Sequence, residues 1–375
     1  MRNRADGAPL PRAPREIVVP FTFEAPLSGI GLGREVHERL RYRRRFELPT
    51  DWRGSHILLH FGAVDWRASV TLDGEAVGGH TGGYTHFALD LGVLDTSREH
   101  ELVVDVEDPA EGFQPRGKQR GSAGIWYTRT TGIWRPVWLE AVPSVYVRSF
   151  ELEAAVDGTV RVHVETNEPS EVDVRIGEVL VRLTAPGWAE LRVGAPRLWS
   201  TEAPYLYDVA IETVSGDAIS SYTAFRSVER RGRDILLNGE PIRLCCVLDQ
   251  GFWPDGVYTA PADAALRADV EAAKALGFNL ARMHVKVADP RWYAWCDRLG
   301  LLVAQDVPSS HDLSTDVART SFTQETEEIV SQLRGHPSVV KWILFNEDWG
   351  APPPAFQREL VERTRDFDPA RPGSW

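Results

Sequence analysis

The first part of the chain alternates hydrophobic and polar residues in short runs that are separated by turn residues. The clearest of these runs are Ile57–Phe61, Val70–Leu72, Leu102–Val106 and Val137–Leu139. The pair Asp73-Gly74 directly follows one of them, and an Asp-Gly pair between alternating runs is a strong β-hairpin signal. This pattern predicts an antiparallel β-sandwich, and we assign it to residues 1–147.

A second stretch shows cleaner two-residue alternation and fewer aromatic residues. Its apolar positions include Val160, Val162, Val164, Val172, Val174, Ile176, Tyr207, Val209 and Ile211. Roughly 80 residues of strands at such spacing are typical of a small immunoglobulin-like sandwich. We therefore predict a second β domain at residues 148–231.

The hydrophobic period changes again at about residue 232. A hairpin at Ile235–Gly239 leads into Ile242–Val247, a nearly continuous apolar run of the kind found in parallel strands that are buried on both faces. On this reading Cys245 and Cys246 lie in mid-strand and pack in the core. A helix follows, with Leu266, Val270, Ala273 and Leu276 on one stripe and Gly277 at its end.

Strand and helix patterns then alternate three more times. The predicted strands are Asn279–Met283, Leu301–Gln305 and Val339–Phe345, and the predicted helices begin near Pro290 with Asp289 as cap, near Ser321 and near Pro354. Four βα units in a row predict a parallel sheet, either doubly wound or half of a (β/α)₈ barrel. We assign this unit to residues 232–375.

Composition narrows the function. The chain has 42 Lys and Arg against 54 Asp and Glu residues, a net charge of −12, so nucleic acid is not an expected partner. Thirteen Trp, nine Tyr and fourteen Phe residues suit β-sandwiches and surfaces that stack on sugar rings. No apolar stretch reaches ~18 residues, which predicts no membrane span.

Cysteine usage and the N-terminus indicate the compartment. Residues 1–7 lack the apolar core of a signal peptide, and Cys245, Cys246 and Cys296 are an odd number in apolar settings. Such cysteines favour buried free thiols in a reducing compartment, so we expect a cytoplasmic protein. No His-x-x-x-His or Cys-x-x-Cys pair occurs, and we expect no metal and no cofactor.

Polar residues follow each of the four predicted parallel strands, at the ends where function resides in such sheets. They are Asp249, Arg282 with His284, Asp306, and Asn346-Glu347 with Trp349 nearby. Each alone is more often a solvated loop residue than a functional one. Acids, an amide, an imidazole and a guanidinium at four consecutive strand ends favour a functional site.

Glu347 is the leading catalytic candidate. It follows the apolar strand Val339–Phe345, with Asn346 before it and Trp349 close behind. A carboxyl in a partly apolar, aromatic-walled cleft is held protonated by desolvation, as a general acid requires. Protonating a glycosidic oxygen is a task that matches this group.

Several segments resemble glycoside hydrolase family 2, whose members include β-galactosidases, β-glucuronidases and β-mannosidases. The segments that carry the resemblance are Tyr42–Phe46, His60–Trp66, Gly132–Glu140, Leu236–Ile242, Gly335–Val340 and Phe345–Gly350. The resemblance implies a jelly-roll-like sugar-binding β-sandwich, an immunoglobulin-like β-sandwich and the N-terminal half of a (β/α)₈ TIM barrel, in that order.

The resemblance also implies a retaining β-glycosidase that acts on a carbohydrate substrate. Glu347 would be the proton donor and later the base, and Asn346 would hold the sugar 2-hydroxyl. Arg282 and His284 would orient the substrate. Asp306, whose role is less defined, would favour the protonated form of Glu347 as a nearby like charge.

A full barrel needs ~250 residues, whereas the predicted barrel unit is shorter. In the family the nucleophile comes from strand seven, and no residue of this sequence carries that motif. The chain is therefore expected to be a fragment, a truncated reading frame or a degenerate relative, and to be inactive alone unless a second chain or a homo-oligomer completes the barrel. The alternative is a non-catalytic carbohydrate-binding or assembly module, with Trp126, Trp134 and Trp138 forming either a stacking platform or sandwich core.

Overall fold

The structure is a computed structural model that describes residues 14–33, 35–121, 123–347, 349–369 and 371. Residues 1–7, on which the prediction about a signal peptide rests, lie outside the described residues. None of the described helices combines the length and apolarity needed to cross a membrane.

The first unit is a β-sandwich with the predicted alternation. Its strands are β1 Arg39–Phe46, β2 His56–Phe61, β3 Val64–Asp65, β4 Arg67–Leu72, β5 Glu75–Thr81, β6 Phe87–Val93, β7 His100–Glu107, β8 Gly132–Ile133 and β9 Val137–Val142, with short 3₁₀ turns at Pro26–Ser28 and Thr50–Trp52. Sheet β1-β7-β4-β5 faces a core that includes Val70 and Val104, to which sheet β6-β2-β9 contributes Leu59 and Phe61. Asp73 and Gly74 both have positive φ angles, 52° and 89°, as a tight hairpin turn requires.

The second unit is the predicted immunoglobulin-like sandwich. Its strands are β10 Val147–Ala154, β11 Thr159–Thr166, β12 Ser170–Ile176, β13 Val179–Ala185, β14 Gly187–Arg192, β15 Tyr207–Thr213 and β16 Ala218–Thr223. Antiparallel sheets β10-β11-β14 and β13-β12-β15-β16 enclose a core in which Val162, Val174 and Ile211 are fully buried.

The third unit contains the parallel sheet. A small sheet of β17 Val228–Arg231, β18 Asp234–Leu237 and β19 Glu240–Pro241 precedes β20 Cys246–Asp249, α1 Asp263–Ala275, β21 Leu280–Met283, α2 Pro290–Leu299, β22 Leu302–Asp306, α3 Asp316–Leu333, β23 Val339–Ile343 and α4 Pro354–Phe367. The sheet order is β20-β21-β22-β23, all parallel. The helices cover one face with a core that includes Val303, Ile329 and Trp342. All four carboxyl ends therefore meet at one edge, where the predicted site residues lie.

The first parallel strand differs from its prediction. It begins at Cys246 rather than Ile242, and Cys245, Cys246 and Leu248 are exposed, while Cys296 is buried as predicted. The prediction that the cysteine pair packs in the core is wrong. Within the described sheet β20 is an edge strand, and its residues Cys246 and Leu248 stay open to solvent.

Two helices test the cap predictions. Asp289 caps α2 as predicted, since its side chain accepts a hydrogen bond from the Arg291 amide. Helix α3, predicted near Ser321, begins instead at Asp316, because Thr315 accepts a hydrogen bond from the Ala318 amide and caps the helix earlier. The apolar stripe of helix α1 also ends earlier than predicted, because Leu276 lies beyond the end of α1 and is 77% exposed.

The first sandwich and the barrel unit share a buried interface. The Arg135 guanidinium is buried and donates to the carbonyls of Val287 and Ala288 at 2.8 and 2.5 Å. In a second contact between the two units, the Gly83 amide of the first sandwich donates a hydrogen bond to the Glu325 carboxyl of α3 at 2.7 Å. These contacts hold the loops of the first sandwich against the barrel unit.

Candidate active site

Strands β21, β22 and β23 bring five polar side chains together at the carboxyl edge of the sheet. This carboxyl-edge cluster consists of Arg282, His284, Asp306, Asn346 and Glu347. The parallel register places Arg282 beside Ala304 and Asp306 beside Ile343, so side chains that are far apart in sequence become neighbours. The sequence prediction that these residues form one site agrees with this placement.

Asp306 is the hub of the cluster. Its carboxylate is fully buried and accepts hydrogen bonds from Arg282 Nε and Nη2, at 2.9 and 2.8 Å. His284 Nδ1 lies 2.8 Å away and the Val285 amide 3.2 Å away. Burial lowers the pKa of Arg282, but its hydrogen bond and Coulomb attraction to Asp306 outweigh this, so the pKa is raised. Arg282 is therefore a fixed cation.

Asn346 carries a free donor into this cluster. Its Oδ1 accepts a hydrogen bond from Arg282 Nη2 at 3.0 Å, which fixes the orientation of the amide. Its Nδ2 is buried and has no hydrogen-bond partner among the described residues. Leaving a buried donor unpaired costs roughly 1–3 kcal/mol, so such an atom marks a place where a ligand acceptor fits.

Glu347 follows Asn346 with a positive φ of 49°, in the left-handed region that non-glycine residues seldom occupy. Strained backbone of this kind is concentrated at functional sites. The side chain is exposed, and its charge acts on Arg282. The turn therefore presents the Glu347 side chain at the surface, one residue after the buried Asn346.

One expectation about the surroundings of Glu347 is wrong for the described residues. No desolvated cleft encloses its carboxyl, because the residue is exposed beyond the edge strand β23. The Asp306 carboxylate is paired with Arg282 and lies 2.8 Å from His284 Nδ1, so it orients these two side chains.

Asp249 lies apart from the cluster. It borders a small cavity between the first sandwich and the barrel unit, together with Asp269, Lys286, Trp134 and Arg135. Burial raises the pKa of Asp249 and raises that of Asp269 to about 6. Burial lowers the pKa of Lys286 to about 7. The backbone carbonyl of Asp249 accepts a hydrogen bond from the His284 amide at 2.7 Å, but its side chain lies by this cavity, apart from the other predicted site residues.

Trp349 is half-buried and contacts two aromatic residues that the sequence analysis did not assign to the site. Its ring centroid lies 5.0 Å from that of Trp126 and 5.6 Å from that of His311. Trp126 belongs to the first sandwich, so only the tertiary structure could bring it here. His311 follows β22 on the same edge, and that position was the one signal in the sequence.

The three tryptophans proposed as a platform do not form one surface. Trp134 is buried in the core, Trp126 contacts Trp349, and the exposed Trp138 stacks on His60 at 4.8 Å. No cluster of three or more His, Cys, Asp or Glu side chains suited to a metal ion occurs in the described part of the chain.

The order of two β-sandwiches before a parallel βα sheet, with an Asn-Glu pair at its carboxyl edge, defines a multidomain glycoside-hydrolase architecture. The chain belongs to glycoside hydrolase family 2. Its residues 34–163 match the galactose-binding domain-like model of the family, residues 142–226 the model described as glycosyl hydrolases family 2, and residues 234–375 the TIM barrel domain. The predicted fold class is confirmed.

Individual relatives carry glycosidase names. A β-galactosidase of Thermoanaerobacter pseudethanolicus is 24% identical over 88% of this chain and 47% of its own length. A β-glucuronidase of Felis catus is 25% identical over 95% of this chain and 62% of its own length. The Ruminococcus gnavus β-glucuronidase structure in complex with N1-substituted uronic isofagomine superposes with a TM-score of 0.83, at 24% identity, over 98% of this chain and 68% of that one. The chain spans about half the length of the curated relatives it matches.

Proposed function

We propose that the chain carries the acid/base half of a retaining β-glycosidase site that hydrolyses O-glycosyl bonds. The observation that carries this proposal is the buried, unpaired Nδ2 of Asn346 in the residue directly before the exposed Glu347. A free donor next to a carboxyl suits a sugar hydroxyl next to a glycosidic oxygen. The glycosidase names of the relatives support the same reaction class.

In this proposal Glu347 protonates the glycosidic oxygen as the leaving group departs and later removes a proton from the attacking water. Asn346 Nδ2 donates to a hydroxyl of the sugar, and this hydrogen bond strengthens in the oxocarbenium-like transition state. Arg282 holds the amide of Asn346, and Asp306 holds Arg282 and His284 in turn.

The double displacement also needs a nucleophilic carboxylate about 5–5.5 Å from the acid/base. Among the described strand ends, Asp306 is committed to Arg282 and His284, and Asp249 lies by the separate cavity. We infer that the nucleophile is supplied by polypeptide outside these 375 residues, which pairs with the open edges of β20 and β23. The 375-residue chain alone is then expected to bind glycosides without turning them over.

Turnover is the first test. Purified chain should release no appreciable nitrophenol from 4-nitrophenyl β-D-glucuronide or β-D-galactoside. Turnover by the chain alone that is lost in Glu347→Gln, but kept in the exposed control Glu359→Gln on α4, would contradict the proposed division of the site.

Binding is the second test. Methyl β-D-glucuronide and methyl β-D-galactoside are titrated into the chain and followed by NMR. At least one should bind, and Asn346→Ala should weaken binding about tenfold, because the Nδ2 donor is lost. Gln324→Ala, which removes an exposed amide on α3, should leave the affinity unchanged. Binding of neither glycoside, or equal affinity for wild type and Asn346→Ala, would contradict the proposal.

The rival module function has less support. It needs a tryptophan platform, and the three tryptophans are divided between a core, an interdomain contact and an isolated surface position. A carbohydrate-binding module also has no need for a strained Asn346-Glu347 turn held by a buried ion pair.

A further inference from the structure

The connection between β7 and β8, residues 108–131, crosses from the first sandwich to the carboxyl edge of the parallel sheet. We call it the β7–β8 loop; its residue Ser122 lies outside the described residues. The amides of Arg116 and Gly117 both donate to the Ser309 carbonyl at 3.0 Å, in the segment after β22. The loop is thus held by backbone hydrogen bonds to the edge that carries Glu347.

Contacts along the loop reach the segments that follow all four parallel strands. Tyr127 stacks on Phe252, after β20, with ring centroids 3.8 Å apart. A Cβ on Gly117 would lie 2.1 Å from the Val285 carbonyl oxygen, after β21, so the backbone approaches as closely as only glycine allows. The loop also contacts Ser309, after β22, through its backbone amides, and Trp349, after β23, through Trp126.

His311 fastens the aromatic part of the loop. Burial lowers the pKa of His311 to about 4, so its ring is neutral at neutral pH, and its Nε2 lies 2.8 Å from the Gly117 carbonyl. A neutral ring whose Nε2–H donates to that carbonyl has a fixed orientation. The Trp126 ring then packs edge-on against His311 at 5.4 Å and tilted against Trp349 at 5.0 Å.

The position of this aromatic pair relative to Glu347 indicates what it contacts. Trp349 lies two residues after Glu347 in the segment that follows β23, whereas Asn346, directly before Glu347, is buried and is held by Arg282. A general acid acts between the sugar and its leaving group, so the side of Glu347 opposite the sugar-binding amide belongs to the leaving group. Trp126 and Trp349 are both only half-buried.

We infer that Trp126 is a specificity-determining residue: with Trp349 it forms an aromatic wall at the leaving-group side of Glu347 that favours β-glycosides with a planar aryl aglycone. This inference rests on the proposed glycosidase function. An aromatic contact of this kind adds about three- to tenfold to affinity. Arg120, whose guanidinium lies over the Trp126 ring at 5.5 Å, supports the wall from the loop side.

The experiment compares two β-glycosides of the same sugar. The sugar, glucuronic acid or galactose, is the one whose methyl glycoside binds the wild-type chain more tightly. Dissociation constants are measured by NMR titration for the methyl and the 4-nitrophenyl β-glycoside with wild-type chain. The 4-nitrophenyl form should bind three- to tenfold more tightly. Trp126→Ala should abolish this ratio without changing the methyl glycoside affinity, and Trp126→Phe should keep most of it, because a ring remains.

Trp138→Ala is the matched control, since Trp138 is an exposed tryptophan of the same sandwich with no contact to the loop among the described residues. It should leave the ratio unchanged. An unchanged ratio in Trp126→Ala, or equal weakening of both ligands, overturns the inference while the glycoside site stands. Failure of the methyl glycoside to bind wild-type chain instead overturns the proposed function itself.

Discussion

Asp306 shows how one buried residue can organise a surface site. Its carboxylate is fully buried, yet through Arg282 it sets the orientation of the Asn346 amide. Removing one partner from a buried ion pair leaves an uncompensated charge, which is more costly than losing the pair altogether.

We predict that Asp306→Asn lowers the free energy of unfolding by about 3 kcal/mol, since Arg282 and His284 lose their common anion. Part of the Arg282 charge can still reach water, because its side chain is 30% exposed, and this keeps the loss from being larger. Urea unfolding measures the effect, with the exposed Asp366→Asn as control. Equal stabilities for the two variants would show that the ion pair is dispensable.

Cysteine reactivity is a second residue-scale prediction. Cys245 and Cys246 are exposed, whereas Cys296 is buried and burial raises its pKa well above the usual range. Iodoacetamide should therefore alkylate Cys245 and Cys246 in the native chain and Cys296 only after unfolding. Mass spectrometry of tryptic peptides identifies the sites, and Cys296→Ser should leave the native count unchanged. Rapid labelling of Cys296 would contradict its packing.

At the scale of elements, helix α3 joins the barrel unit to the first sandwich through Glu325. The pKa of Glu325 is raised to about 8, mainly by burial and in smaller part by the neighbouring Glu328, against the lowering effect of the hydrogen bond from the Gly83 amide. Its ordinary value is 4.5. Between these values the folded chain holds a proton that the unfolded chain has released, so the free energy of unfolding falls as the pH rises.

We predict that this contribution is fully present below about pH 4.5 and is lost as the pH rises through about 8. Glu325→Gln, which stays neutral, should therefore be more stable than wild type at alkaline pH and nearly equal to it at acidic pH. Buried Lys286, with its pKa lowered to about 7, contributes with the opposite sign. Thermal unfolding of wild type and variant across this range isolates Glu325, with Glu359→Gln as control. A constant difference would exclude its titration.

At the scale of the whole molecule, the barrel unit is fastened to both sandwiches. Arg135 of the first sandwich donates to barrel carbonyls, and Trp199 of the second donates its indole N–H to the Asp297 carbonyl at 2.7 Å. Arg226 donates to the carbonyls of Pro337 and Val339 beside β23. The sandwiches nevertheless have cores of their own.

We predict that residues 1–231 fold without the barrel unit, with a β-type circular dichroism spectrum and a cooperative melt. The melting temperature should be lower than that of the full chain, because Trp134, Arg135 and Trp199 lose buried partners. Limited proteolysis of the full chain should cut after about Gly232 and spare the sandwiches, since β20 and β23 have unpaired edges in the described sheet. A non-cooperative melt would contradict independent folding.

The sequence by itself determined the two sandwiches, the four βα units and the cluster from Arg282 to Glu347. These features follow from local rules: alternation assigns a strand to a face, caps such as Asp289 start helices, and parallel strands gather their carboxyl ends. Asp249 was misplaced by the same rule, because the side chain of the last residue of a strand can point to either face.

Only the tertiary structure decided the surroundings of these residues. Whether Cys246 or Glu347 is buried depends on what covers an edge strand, and that is a non-local property. The role of Asp306 depends on the side chains that reach it from neighbouring strands. Trp126 contacts Trp349, which lies more than 200 residues later in the sequence, because the β7–β8 loop packs against the barrel unit. Such contacts leave no periodic trace in the chain, since periodicity records only which face of its own element a residue occupies.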